Sequence, residues 1–123
     1  MKRKLSLLLA IALLSKASNA TELPREQWMD HMETALPTYQ CQSQTYFRQC
    51  FNVTQEKCED VMASATRTCL SKFEESIPAI LVQPKDGTFW GSKVGGCAGT
   101  AYDATLKEEH TNTARCKNPN LWR

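Results

Sequence analysis

The chain has 123 residues, a formal net charge of +2 and six cysteines, which fits one small domain. Four basic residues (Lys2, Arg3, Lys4 and Lys16) and no acidic ones fall in the first twenty positions. Without that stretch 11 basic residues face 13 acidic ones, a formal charge of −2, so the body of the chain lacks the basic face that nucleic-acid binding needs.

Met1-Lys2-Arg3-Lys4 is a basic opening, followed by the nearly unbroken apolar run Leu5–Leu14 and by Ser18-Asn19-Ala20, a small-x-small cleavage site. This is the pattern of a secretory signal peptide over residues 1–20, and the apolar run is too short to span a bilayer. No cysteine follows the site, which argues against a lipid anchor. The expectation is an exported protein, periplasmic or extracellular. Its mature part is a single disulfide-rich helical domain, residues 21–123, with no membrane span.

Leu23 to Leu36 reads as a first helix, with Pro24 suited to the opening turn and Pro37 as its stop. Trp28, Met32, Ala35 and Leu36 fall on one side and read as core; His31, on the polar side, reads as solvent-exposed.

Four of the six cysteines lie between Cys41 and Cys69. After Thr54 the apolar positions Cys58, Val61, Met62, Ala65, Cys69 and Phe73 follow the three-and-four spacing of a helix with one buried stripe. Thr54 is placed to cap that helix, Glu56, Glu59 and Asp60 favour its positive end, and Ser76 or Pro78 ends it. Upstream, Ser43, Tyr46, Phe47 and Cys50 share one side of a shorter helix, with Asn52-Val53-Thr54 as the turn. The spacing predicts an antiparallel helical hairpin in which paired residue numbers add to a near-constant value. The pairs that satisfy this are Cys50–Cys58 near the turn and Cys41–Cys69 further out, with Cys41 in a non-helical turn. Over this segment the chain resembles the paired-cysteine hairpin of the coiled-coil-helix-coiled-coil-helix proteins, with gaps of eight and ten residues where that family has nine. The resemblance concerns architecture and carries no function. Asn52-Val53-Thr54 also matches an N-glycosylation sequon, which matters only in a eukaryotic secretory pathway.

Past Pro78, the apolar run Ala79–Val82 precedes the turn-forming Gln83-Pro84-Lys85-Asp86-Gly87 and then Thr88-Phe89-Trp90. This reads as a short β-hairpin near 80–90 or as an ordered loop. Gly91 to Gly99 reads as too glycine-rich for regular structure. A last helix is expected from Thr100 to about Glu109, with Tyr102, Leu106 and His110 on one side. A break at His110–Thr113 would bring Cys97 to Cys116, and Trp122 would dock on the body or fray. The fold class is therefore mainly α, a small disulfide-stapled helical bundle built on an antiparallel hairpin.

An even number of cysteines in a small exported chain argues for disulfides, each contributing about 2–4 kcal/mol. A metal centre is not expected, because no Cys-x-x-Cys occurs and His31 and His110 lie far apart. No catalytic motif and no cofactor-binding motif is present, and the adjacent carboxylates Glu59-Asp60, Glu74-Glu75 and Glu108-Glu109 diverge by about 100° on a helix. The reading is an exported protein that binds a macromolecular partner, a protein or envelope component, as an inhibitor, immunity or accessory factor. No catalytic residue is assigned. Phe89 and Trp90 at the turn are the candidate binding residues, with a role as a cap on the hairpin's core as the competing account. The alternative is a small hydrolase using His110 with a nearby carboxylate such as Glu109 or Asp103, beside Tyr102.

Overall fold

The protein is described by a computed structural model covering residues 21–122; the expected signal peptide lies outside the described residues. Its spine is helix α3, Gln55–Phe73. The Thr54 side chain accepts the Lys57 amide hydrogen at 3.0 Å, so the capping residue foreseen from the sequence starts the helix. The buried side of α3 carries Cys58, Met62, Ala65, Thr66, Cys69 and Leu70. Thr66 is the polar member of that stripe and is satisfied by donating its hydroxyl to the Met62 carbonyl at 2.7 Å.

Two long helices flank this spine. Helix α1, Arg25–Gln40, runs antiparallel to α3: Arg25 Nη1 donates to the carbonyls of Glu74 and Ile77 at one end, and Gln55 Nε2 donates to the Cys41 carbonyl at the other. Helix α4, Lys85–Thr105, is also antiparallel to α3, with Trp90 against Phe73 and Cys97 bonded to Cys69. It follows that α1 and α4 run parallel to each other. Trp28, Met62, Leu70, Leu81, Val94 and Tyr102 are among the side chains buried between the three helices. A single turn, α2 (Tyr46–Gln49), and the short C-terminal α5 (Ala114–Lys117) complete the helices, with 3-10 turns at Lys107–Glu109 and Pro119–Trp122. Among the described residues no helix is long and apolar enough to cross a membrane.

The mainly α, disulfide-stapled bundle agrees with the sequence reading; several particulars do not. Helix α1 passes through Pro37 to Gln40. Pro37 opens the last turn, which closes beyond it through Cys41 N–H on the Pro37 carbonyl, and the Cys41 bridge anchors the helix end. Consequently the partner arm of α3 is α1, and the expected arm at Ser43–Cys50 contracts to one turn.

The six cysteines are all in disulfides, but none of the pairs Cys50–Cys58, Cys41–Cys69 and Cys97–Cys116 forms. The bridges are Cys41–Cys58, Cys50–Cys116 and Cys69–Cys97, with Cα separations of 6.0, 5.4 and 5.9 Å. Cys41 ends α1 beside the first turn of α3, where Cys58 sits. Cys69 lies three helical turns further along, about 16 Å away at 1.5 Å per residue, out of reach of a bridge. Cys50 instead meets the C-terminal segment, which is drawn in by the Phe51–His110 bridge and by Thr111 N–H on the Cys50 carbonyl.

The apolar run after Pro78 is strand β2, Ile80–Val82, but it pairs antiparallel with β1, Glu22–Pro24, in the register Leu23 to Leu81. Thr88-Phe89-Trp90 and the glycine-rich stretch both belong to α4 rather than to a hairpin or loop. Local propensity disfavours a helix there by about 0.5–1 kcal/mol per glycine. The Cys69–Cys97 bridge and the burial of Val94, Ala98 and Tyr102 override it.

Loop-closure entropy separates the bridges. The Cys50–Cys116 link closes a separation of 66 residues and the Cys41–Cys58 link one of 17. Replacing Cys50 and Cys116 by serine should cost about 4 kcal/mol, against about 3 kcal/mol for Cys41 and Cys58, a ranking that urea unfolding of the two double variants measures.

Candidate functional site

A groove of about 970 Å³ opens between α1 and α4. Met32, Leu36 and Tyr39 form one wall, and Tyr46 and Phe47 of α2 close one end together with Asp103. Its floor is a glycine stripe, Gly87, Gly91, Gly95 and Gly99, repeating every fourth residue along α4. That repeat was visible in the sequence, but only once the segment is helical does it become a face.

The glycines differ in what the fold asks of them. A Cβ at Gly99 would stand 2.8 Å from the Phe47 ring, so the close packing of that ring on the helix requires glycine. At Gly91 the nearest atom would be Met32 Cε at 4.0 Å, at Gly95 Gln40 Nε2 at 3.4 Å, and at Gly96, also on the groove, nothing lies within 4 Å. None of these glycines has a positive φ. Among the described residues, therefore, nothing stands in the way of a Cβ at 91 or 96, whereas Gly95 is buried beneath Gln40 and Leu36. On the same wall Gln40 Nε2 donates to the Gly95 carbonyl, while its Oε1 is buried without a partner.

Tyr46 organises the end of the groove. Its hydroxyl donates to Asp103 Oδ2 at 3.1 Å and lies 3.1 Å from His110 Nε2. With its one proton given to the carboxylate, the phenol oxygen accepts from His110 Nε2–H. Burial pushes the Tyr46 phenol up to about 12, with the hydrogen bond to Asp103 and that carboxylate's charge acting in the same direction. Burial likewise raises Tyr102 to about 12, opposed by Arg48; its hydroxyl donates to the Phe47 carbonyl at 3.0 Å.

His110 does come close to a carboxylate, Asp103, but through the Tyr46 hydroxyl. Its ring packs edge-on against Phe51 at 5.0 Å, and it does not line the groove. Glu109 is exposed and holds the Asn52 amide through its backbone carbonyl. The sequence offered no signal for Tyr46 as the linking residue, since its partners lie 57 and 64 positions away. Phe89 and Trp90 sit side by side on α4 at 5.0 Å. Phe89 is 53 % exposed with the Lys93 ammonium 5.2 Å from its ring centre. Trp90 is half-buried against the core on Phe73. Neither lines the groove. His31 is exposed, as expected. Among the described residues no cluster of three or more histidines, cysteines or carboxylates is arranged to hold a metal ion.

A family model described as the T2SS substrate NttA matches residues 22–110, a span that takes in β1, α1 to α4 and the groove. Comparison with curated proteins and with solved structures yields no match.

The two raised tyrosines make stability pH-dependent in a defined window. In the unfolded chain a tyrosine ionises near its ordinary value of 10, whereas Tyr46 and Tyr102 hold their protons to about 12 in the fold. Their contribution is fully present below pH 10 and is lost as the pH rises to 12. Urea unfolding between pH 8 and 12 should record this decline, and it should be shallower in the Tyr46→Phe, Tyr102→Phe double variant.

Proposed function

The chain belongs to the NttA family of type II secretion system substrates and is thus an exported protein, and we propose that outside the cell envelope's inner compartment it acts by binding a macromolecular partner. The partner is a protein or an envelope component, and the contact is the glycine-floored groove between α1 and α4.

The observation that carries this reading is the set of glycines that the fold does not require. Glycine inside a helix costs about 0.5–1 kcal/mol relative to alanine. At Gly91 and Gly96 no described residue comes closer than 4.0 Å to where a Cβ would stand, so the packing does not call for glycine there. What glycine supplies there is an open groove in which an external backbone can approach the helix closely. Tyr39, 67 % exposed on the rim, adds an aromatic side chain of the kind enriched at binding hot spots. Phe89 and Trp90 belong to a neighbouring face of α4, where Phe89 extends the contact surface and Trp90 is a packing residue. The disulfides fit a scaffold that stays folded in an oxidising compartment. The hydrolase alternative finds its carboxylate in Asp103, yet the Tyr46 hydroxyl lies between it and His110, and no observation favours it over binding.

Two sets of variants test the groove. In the isolated protein, Gly91→Ala and Gly96→Ala should raise stability by about 0.4–1 kcal/mol, whereas Gly99→Ala should lower it by about 1–3 kcal/mol through the Phe47 clash. Gly91→Leu and Gly96→Leu, which fill the groove at positions with room for a side chain, should abolish partner capture from the medium or envelope while leaving circular dichroism unchanged. Equal capture by the filled and open proteins rules out the groove. Trp90→Ala should lower the melting temperature, and a loss of capture with unchanged melting would move the contact to the aromatic pair.

A further inference from the structure

We propose that the groove between α1 and α4 takes a single fatty acyl chain, its polar head toward Thr88 and its tail toward Phe47. The inference rests on the reading of the groove as the contact site, and it selects an envelope component over a protein as what enters it.

Three features favour hydrocarbon over polypeptide. First, the lining is uncharged along its length. Met32, Leu36 and Tyr39 line it with the glycines, and among the described residues its one charged side chain, Asp103, stands at the α2 end. A concave, mostly uncharged site of about 970 Å³ has the size and character of a small-molecule site. Second, the floor offers no hydrogen bonds. It is the side of a helix whose backbone groups, between its ends, are bonded within α4, and the Gly95 carbonyl takes the Gln40 side-chain amide as well. A backbone can come close to the glycines but finds no partner there for its own N–H and C=O groups, which is costly once they are buried. A methylene chain has no such groups.

Third, the floor is narrow. Met32 Cε stands 4.0 Å from where a Cβ at Gly91 would be, and Gln40 Nε2 reaches the Gly95 carbonyl at 3.3 Å, so one side chain of α1 spans the gap to α4. A partner helix, about 10–12 Å across with its side chains, cannot settle on that floor, whereas a chain no thicker than a side chain can. It would lie over the Gln40 amide and against the open positions at Gly91 and Gly96. From Gly87 to Gly99 the floor is about 18 Å long at 1.5 Å per residue, room for about fourteen carbons joined by bonds of about 1.5 Å.

Asp103 sets the direction. Its carboxylate, held by the Tyr46 hydroxyl at 3.1 Å, repels the carboxylate of a fatty acid from the α2 end. The Thr88 and Ser92 hydroxyls line the other end and can donate to a carboxylate or an ester.

The test is a titration of the exported protein with sodium octanoate, decanoate, laurate and myristate below their aggregation concentrations, followed by the backbone amide resonances of α4. A saturable shift centred on Gly91 and Gly96 is expected. Affinity should rise about twofold per added methylene, about half the free energy of full burial because the groove is open on one side, and level off once the floor is filled. Gly91→Leu and Gly96→Leu should each weaken laurate binding at least tenfold. Parallel melting curves identify a variant that fails to fold, and the chain-length series on the unsubstituted protein then decides the question. Laurate and phosphatidylglycerol vesicles separate the sources: a response to laurate marks a free acid and a response to vesicles alone marks a membrane lipid, both supporting an acyl site. The absence of a saturable shift with any of these probes overturns the proposal, as does an affinity independent of chain length or equal laurate binding by the leucine variants. If acyl chains fail while the leucine variants still lose partner capture, this inference falls and the groove reading stands; if capture is also unchanged, both fall.

Discussion

Cys58 and Cys69 leave helix α3 from nearly the same side, three turns apart, and the rest of the architecture depends on where they go. One fastens the end of α1 and the other the middle of α4, so the two flanking helices are tied to a common spine and cannot slide along it. That constraint lets α4 remain helical despite five glycines between Gly87 and Gly99. A small domain has a modest core, and here covalent closure supplements burial where the glycines withhold side-chain volume. The third bridge, Cys50–Cys116, holds the tail against α2 and places Trp122 beside Tyr46.

Tyr46 is the point where these parts meet. It stands on a single helical turn, yet its ring touches Phe47, Phe51, His110 and Trp122, and its hydroxyl reaches Asp103 on α4. It therefore closes the glycine groove on one side and walls the C-terminal cavity on the other. A polar link of this kind, satisfied at both the carboxylate and the imidazole, fixes the orientation of the three segments that carry Tyr46, Asp103 and His110. The resulting surface carries an open groove floored by glycines and an aromatic corner with one carboxylate.

Helix propensity and the glycines conflict along α4. Alanine at Gly91 or Gly96 would make a better helix, and the packing leaves room for it. Gly99 is different, because the Phe47 ring occupies the space a side chain would need. The same stripe thus contains glycines whose place a neighbouring side chain already fills, Phe47 at Gly99 and Gln83 at Gly87, and another, Gly91, where the packing leaves room for a side chain.

Features governed by nearest neighbours were legible in the amino-acid sequence. Thr54 caps α3 because an N-cap depends on three or four residues, and the Cys58 to Phe73 stripe follows from helical periodicity alone. The even cysteine count predicted full disulfide bonding in an exported chain, and the secretion-substrate family agrees with export. The pairing of those cysteines, the strand partner of Ile80–Val82, the helical state of Gly91–Gly99 and the junction of Tyr46 with Asp103 and His110 were decided only by tertiary structure. Each joins residues far apart in the chain, and the energy that selects it comes from burial and covalent closure, which local spacing does not encode.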